Sequence, residues 1–199
     1  MNMIAPCAGH GETSTVRRVV GPTILLYSGE YFDYENAEGS LFTIEDIARG
    51  LSHICRFAGQ CARFYSVAEH SVYVSQIVPL EHAFAALMHD AAEAFIGDMA
   101  KPLKVMCRDY QAIERRVERA VLGRFDLTLP MHRCVKEADI VMLATEQAQI
   151  MRNRDDWEYT RGRAVADLTI KGLGPDDAMA FFLSRFQELQ PFHAKDQEQ

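Results

Sequence analysis

Leu87-Met88-His89-Asp90-Ala91-Ala92-Glu93 is the stretch that decides how this chain folds. It lies within residues 81–95, a run rich in Ala, Leu and Met whose composition predicts a helix buried on most sides. An imidazole and a carboxylate side by side in such a helix lose solvation worth several kcal/mol unless a metal or a charge partner satisfies them. Neighbours on a helix point about 100° apart, from 3.6 residues per turn, so His89 and Asp90 flank an ion without enclosing it. The remaining ligands must come from other helices.

Upstream, Ser66 with Glu69 forms an S-x-x-E capping box, which predicts a helix through Val67, Val74, Ile77 and Val78 that Pro79 stops. His70 falls in its first turns. Downstream, Pro130 suits a first-turn position, and Val135, Ala138, Ile140, Met142, Leu143 and Ile150 continue a helix with Asp139 in its middle. His70, His89, Asp90 and Asp139 together give a mixed nitrogen and oxygen set for one divalent ion, suited to Mn, Fe, Co, Ni or Zn. No thiolate is needed.

The rest of the chain is read in the same way. Residues 23–27 and 30–34 are β-prone runs around Ser28-Gly29, which predicts a short hairpin. From Thr43, which with Asp46 resembles a helix cap, Ile44, Ile47, Ala48, Leu51, Ile54 and Cys55 recur on one face of a helix expected to end near residues 57–59. Gly97-Asp98 breaks the central helix. Tyr110, Ile113, Val117, Ala120, Val121 and Phe125 mark an amphipathic structural helix. Residues 155–174 have no period and read as a functional or mobile connection. Gly174-Pro175-Asp176-Asp177 opens a last helix through Met179, Phe182, Leu183 and Phe186. The expected fold is all-α, a helical bundle with a small N-terminal β-hairpin. It occupies residues 23–190, between a flexible leader (1–22) and a disordered tail (191–199).

A chain of 199 residues, 48% hydrophobic, has enough apolar material for one full core. Its formal charge of −7 argues against a nucleic-acid polymer as partner, because that affinity rests on a field of Lys and Arg. The five cysteines form neither a CxxC pair nor a regular framework, which fits reduced thiols in a cytoplasmic protein. No stretch is long and apolar enough for a membrane span or a signal peptide, so no membrane partner is expected.

The order His70, His89-Asp90, Asp139, set in Ala68-Glu69-His70-Ser71 and in the opening stretch, resembles the HD-domain phosphohydrolases over residues 43–151. Within them the chain is similar to compact bacterial 5′-deoxynucleotidases and phage deoxynucleoside triphosphate phosphohydrolases. Their pattern HD-x-x-E-x-x-x-x-D stands here as His89-Asp90, Glu93 and Asp98. The resemblance implies an HD-type bundle, His70, His89, Asp90 and Asp139 as metal ligands, and Glu93 and Asp98 as the acids that handle the attacking water. It also implies a small nucleotide substrate and a homo-oligomer. Two further histidines between the HD pair and the last Asp would be needed for a dinuclear site, and only His132 lies there, so one metal is expected.

Spacing agrees with those roles. Glu93 stands one turn beyond Asp90, so its carboxylate can face the same cavity and take a proton from water. Phosphoryl oxygens need cations, and Arg56, Lys104 and Lys136 are the candidates, the last sharing a face with Asp139. Relatives carry an arginine and an aromatic residue upstream of the first ligand, as Arg56-Phe57 does here, with tryptophan where Phe57 stands. Trp157 reads as a packing or contact residue, and His53, His82 and His132 as surface or packing histidines. The expected activity is metal-assisted hydrolysis of a nucleotide phosphoester or phosphoanhydride. A lyase or oxygenase on the same scaffold, or an inert nucleotide-binding regulator, are the alternatives.

Overall fold

A computed structural model describes Val19 and residues 21–197, the side chains of 191–197 excepted. The expected leader therefore lies outside the described residues apart from Val19, Gly21 and Pro22. The elements run β1 (Thr23–Leu25), β2 (Tyr31–Asp33), α1 (Ile44–His53), α2 (Val67–Gln76), α3 (Leu80–Met88), α4 (Glu93–Ile96), α5 (Lys101–Lys104), α6 (Arg108–Gly123), α7 (Arg133–Ile150) and α8 (Pro175–Gln197). Mostly helical, with one two-stranded antiparallel sheet among the described residues, this is the bundle with an N-terminal hairpin that the sequence implies.

α2 is the axis of the bundle: nine of its ten residues are buried, Val67 through Ser75. α1, α3, α7 and α8 pack around it. Such a helix holds polar side chains only if each finds a partner. Ser66 caps it, accepting from the Glu69 N–H at 3.2 Å. The reciprocal half of the expected capping box is absent: the buried Glu69 carboxylate instead accepts from the backbone N–H groups of Lys171, Gly172 and Leu173 at 2.8–3.0 Å and from the Tyr73 hydroxyl at 3.0 Å. Those bonds tie down the loop before α8. Thr145 accepts from the Ala166 N–H and Gln149 from the Ile170 N–H, so the patternless connection is strapped to α7.

The hairpin has a positioning role. Phe32 stacks on Phe95 of α4, ring centroids 4.2 Å apart, and Phe42 meets the same ring edge-on at 5.2 Å. The Tyr34 hydroxyl donates to the Phe95 carbonyl. On the other side of α4, Gly50 of α1 lets the backbones approach: a Cβ there would stand 2.8 Å from the Ala94 carbonyl oxygen. α4 is thus clamped between hairpin and α1.

Four helix boundaries differ from the sequence reading. α1 ends at His53 rather than near residues 57–59, because the chain turns extended at Ile54 and Arg56–Gly59 forms a separate short turn. The run 81–95 is two helices, α3 and α4, joined through residues 89–92. α7 begins at Arg133 rather than Pro130, because His132 caps it, its Nδ1 accepting from the Cys134 N–H at 3.4 Å. The backbone of α8 continues past Pro191 to Gln197, into the segment read as a tail.

Candidate active site

Four helical segments bring the HD residues together. Across the α3–α4 junction the N–H groups of Ala91, Glu93, Ala94 and Phe95 reach back three residues instead of four. That tighter winding places side chains at i and i+3 almost above one another, which sets Glu93 over Asp90. Gly97, at φ 80°, then turns the chain toward Asp98 in a conformation that a side chain disfavours.

The expected ligands converge. His70, His89 and Asp139 each offer a donor atom, all within 4.8 Å of one another. Asp90 adds Oδ2 at 3.7 Å from His70 Nε2 and 3.2 Å from His89 Nε2, and Asp139 Oδ1 lies 3.4 Å from His70 Nε2. Both imidazoles are oriented through their other nitrogen: His70 Nδ1 bonds Glu146 Oε1 at 2.6 Å, and His89 Nδ1 meets the Ala86 carbonyl at 2.8 Å. The two Nε2 atoms are buried and without a hydrogen-bond partner. Two unpartnered imidazole nitrogens held by a carboxylate and a carbonyl, facing two further carboxylates, are the donor chemistry of a divalent transition-metal site. The residues present fit such an ion.

The charges around them are paired by sign. Burial would lower the His70 imidazole, and Arg56 acts the same way, yet Glu146 and the facing Asp139 bring it up to about 9. His89 is raised against its own burial, chiefly by Asp90. Asp90 is held at about 2, its burial outweighed by His89 and His70, and Asp139 lies well below the carboxylate range because His70 and His89 overcome its burial. The imidazoles keep their protons and the aspartates give theirs up because the two kinds of group pair as opposite charges. A divalent cation in place of those protons would meet the same two carboxylates.

Glu93 behaves in the opposite way. Burial first, then the Asp90 and Asp98 charges, push its carboxyl well above the usual range, and its Oε2 is buried without a partner. Asp98 is raised by burial and by Asp90. Access is from the aspartate side: the Asp139 and Asp90 side chains are 36% and 21% exposed, against 0% for His70.

Of the expected cations, Arg56 lies inside the site. Its guanidinium bonds Glu146 Oε2 at 3.2 Å and stands 3.7 Å from Asp90 Oδ2. The Arg56 N–H is fixed by the Tyr65 carbonyl, after which Phe57 (φ 54°) and Ala58 (φ 51°) turn left-handed. Strain of that kind costs about 1–3 kcal/mol per residue and gathers where a site needs it. The turn sets Phe57 under the Arg56 guanidinium and 6.2 Å from Trp157, ring to ring. Lys104 acts on Glu93 and Asp98 through its charge, but its ammonium is paired with Glu114 of α6. Lys136 is exposed and pairs with no described side chain.

Glu146 is the residue that sequence reading missed. Fully buried, it joins His70 to Arg56, and those two cations overcome its burial to hold its carboxyl below the usual range. Its position seven residues after Asp139, two turns along one face of α7, is the signal that points to it.

A mostly helical bundle that gathers His, His-Asp and Asp in this order defines an HD-type protein, a class whose phosphohydrolases bind divalent metals. Residues 51–155 match the profile of the family described as 5′-deoxynucleotidase YfbR-like. Over 168 residues the chain is 39% identical to the uncharacterized protein YfdR of Escherichia coli K12, covering 83% of this chain and 94% of that protein. An uncharacterized protein of Rhodobacter capsulatus is 35% identical over 139 residues, covering 63% of this chain and 71% of its own length. The chain belongs to the YfbR-like 5′-deoxynucleotidase family, a family of nucleotide phosphohydrolases. No described helix is long and apolar enough to cross a membrane.

Proposed function

We propose that this chain hydrolyses the phosphoester or phosphoanhydride of a small (deoxy)nucleotide, with one divalent ion held by His70, His89, Asp90 and Asp139. The observation that carries the reading is the pair of buried, unpartnered Nε2 atoms facing two carboxylates, with the unpartnered Glu93 oxygen beside them. When bound, the cation supplies Lewis-acid polarisation of the phosphoryl group and of the attacking water.

The chain's own residues do the rest. Glu93 accepts a proton as water oxygen bonds phosphorus, and its raised proton affinity suits that task. The bond from phosphorus to the leaving oxygen breaks in line. Asp98, also raised, gives a proton to the leaving oxygen. Arg56 stabilises the negative charge on the phosphoryl oxygens. Its hold by Glu146 keeps the guanidinium beside Asp90. Phe57 and Trp157, at the rim of the Arg56 turn, border the side where a base or sugar would lie. Lys104 and Lys136 are placed further out, as longer-range attraction for additional phosphates.

The test is an assay of purified protein with manganese or cobalt against nucleoside mono-, di- and triphosphates. The expected outcome is release of phosphate or pyrophosphate from at least one class, abolished by chelator and restored by metal. Full metal loading with inertness toward the whole panel would leave a binding protein instead.

A further inference from the structure

The N-termini of α3 and α7 hold a second group of donors that the reaction does not use. His82, in the first turn of α3, His132, the cap of α7, and Cys134, in its first turn, bring one ligand atom each to within 4.8 Å of one another. The two imidazoles lie face to face, centroids 4.1 Å apart and 12° from parallel. We propose that His82, His132 and Cys134 form a second metal site, selective for zinc or a similarly thiophilic ion, which clamps the ends of the two helices that carry His89 and Asp139.

The donor set decides the ion. Two imidazoles and a thiolate are the ligands of zinc and other borderline or soft metals, whereas the carboxylate-rich catalytic set also takes manganese. Zinc bonds of about 2.0–2.1 Å to nitrogen and 2.3 Å to sulfur place tetrahedral donors roughly 3.3–3.6 Å apart. The donors therefore need to close by about 1 Å around the ion. Stacked rings cannot both aim an in-plane lone pair at one ion, so His132, which is exposed and held otherwise by one long contact of 3.4 Å to the Cys134 N–H, has to turn off the His82 ring to enter the set. Two helix N-termini alone would repel a cation. Here the thiolate offsets them, and Glu81 and Glu137 stand close enough to the Cys134 sulfur to act on it electrostatically. Glu81 or water is at hand for a fourth position. His82 precedes His89 by two turns, about 10 Å along α3, so the clamp is separate from the catalytic ion.

Cobalt spectroscopy of the full chain tests this without any assay of turnover. The catalytic set contains no thiolate, so a sulfur-to-cobalt charge-transfer band in the near ultraviolet reports a cysteine-containing site, and Cys134→Ser shows whether it is this one. The expected result is a band in the wild type and in Asp90→Ala that disappears in Cys134→Ser, together with a second equivalent of bound zinc that Cys134→Ser also loses. In an Asp90→Ala background, which disables the other site, zinc should raise the melting temperature, and adding Cys134→Ser should remove that rise. Should Cys134→Ser fold poorly, His132→Ala, at an exposed position, should weaken zinc at this site by more than the roughly 10–100-fold that loss of a partner supporting a ligand costs. A cobalt-saturated wild type with no thiolate band overturns the proposal. So does a band that survives in Cys134→Ser, which would assign the thiolate to another of the chain's cysteines.

Discussion

Two buried glutamates, Glu69 on α2 and Glu93 at the start of α4, are treated in opposite ways by the fold. Glu69 is fully enclosed and accepts from three backbone N–H groups and a hydroxyl, so its charge is spent on fixing the loop before α8. Glu93, nearly as enclosed, keeps an oxygen without a partner and faces two other carboxylates that raise its proton affinity. A folded protein satisfies nearly all its buried polar atoms, so a group left unsatisfied beside perturbed neighbours marks chemistry rather than architecture. Glu69 builds the scaffold, and the proposed mechanism gives Glu93 the proton transfer.

Substitutions should separate the two roles. Asp90→Ala removes a carboxylate from the donor set and is expected to lose bound metal and turnover together, with kcat/KM down by about a thousandfold or more, read by metal analysis beside the nucleotide assay. Glu93→Gln is expected to keep the metal and lower kcat by roughly 10²–10⁴, the usual range for a proton acceptor. Because burial and the neighbouring carboxylates raise Glu93, the acid limb of the wild-type pH–rate profile should lie above the ordinary glutamate range, activity falling as pH drops through it. Glu146→Gln should weaken metal affinity about 10–100-fold by loosening His70, measured by calorimetric titration. Glu69→Gln strands backbone donors and should cost about 1–3 kcal/mol of stability in denaturant unfolding, leaving kcat per folded molecule nearly unchanged. If Glu69→Gln struck turnover as hard as Glu93→Gln with the fold intact, the contrast would fail.

The bundle, the hairpin and the convergence of the HD residues were legible because each rests on local signals: an apolar run interrupted by His89-Asp90, a cap at Ser66, a Gly-containing turn at Ser28-Gly29. What was not legible depends on distant partners. Glu69 matches a capping box in sequence, but its carboxylate is drawn to backbone donors about a hundred residues away, at Lys171 to Leu173. Glu146 carries no motif, since its role exists only once α7 lies beside α2. The break at residues 89–92 hides in a run of good helix formers, because the hairpin and α1 gripping α4, not any breaker residue, impose it. Lys136 shows the converse: it shares a helix with Asp139, yet three residues along it ends in solvent without a partner among the described residues.

The most direct measurement is anomalous diffraction from crystals of the protein grown with manganese, a hard ion that avoids the thiol-containing group at His132. The expected result is one strong peak between His70 Nε2, His89 Nε2, Asp90 and Asp139, with Glu93 outside bonding distance of it. A loaded crystal whose manganese lies elsewhere, with both Nε2 atoms bonded to protein groups instead, would contradict the assignment of this site.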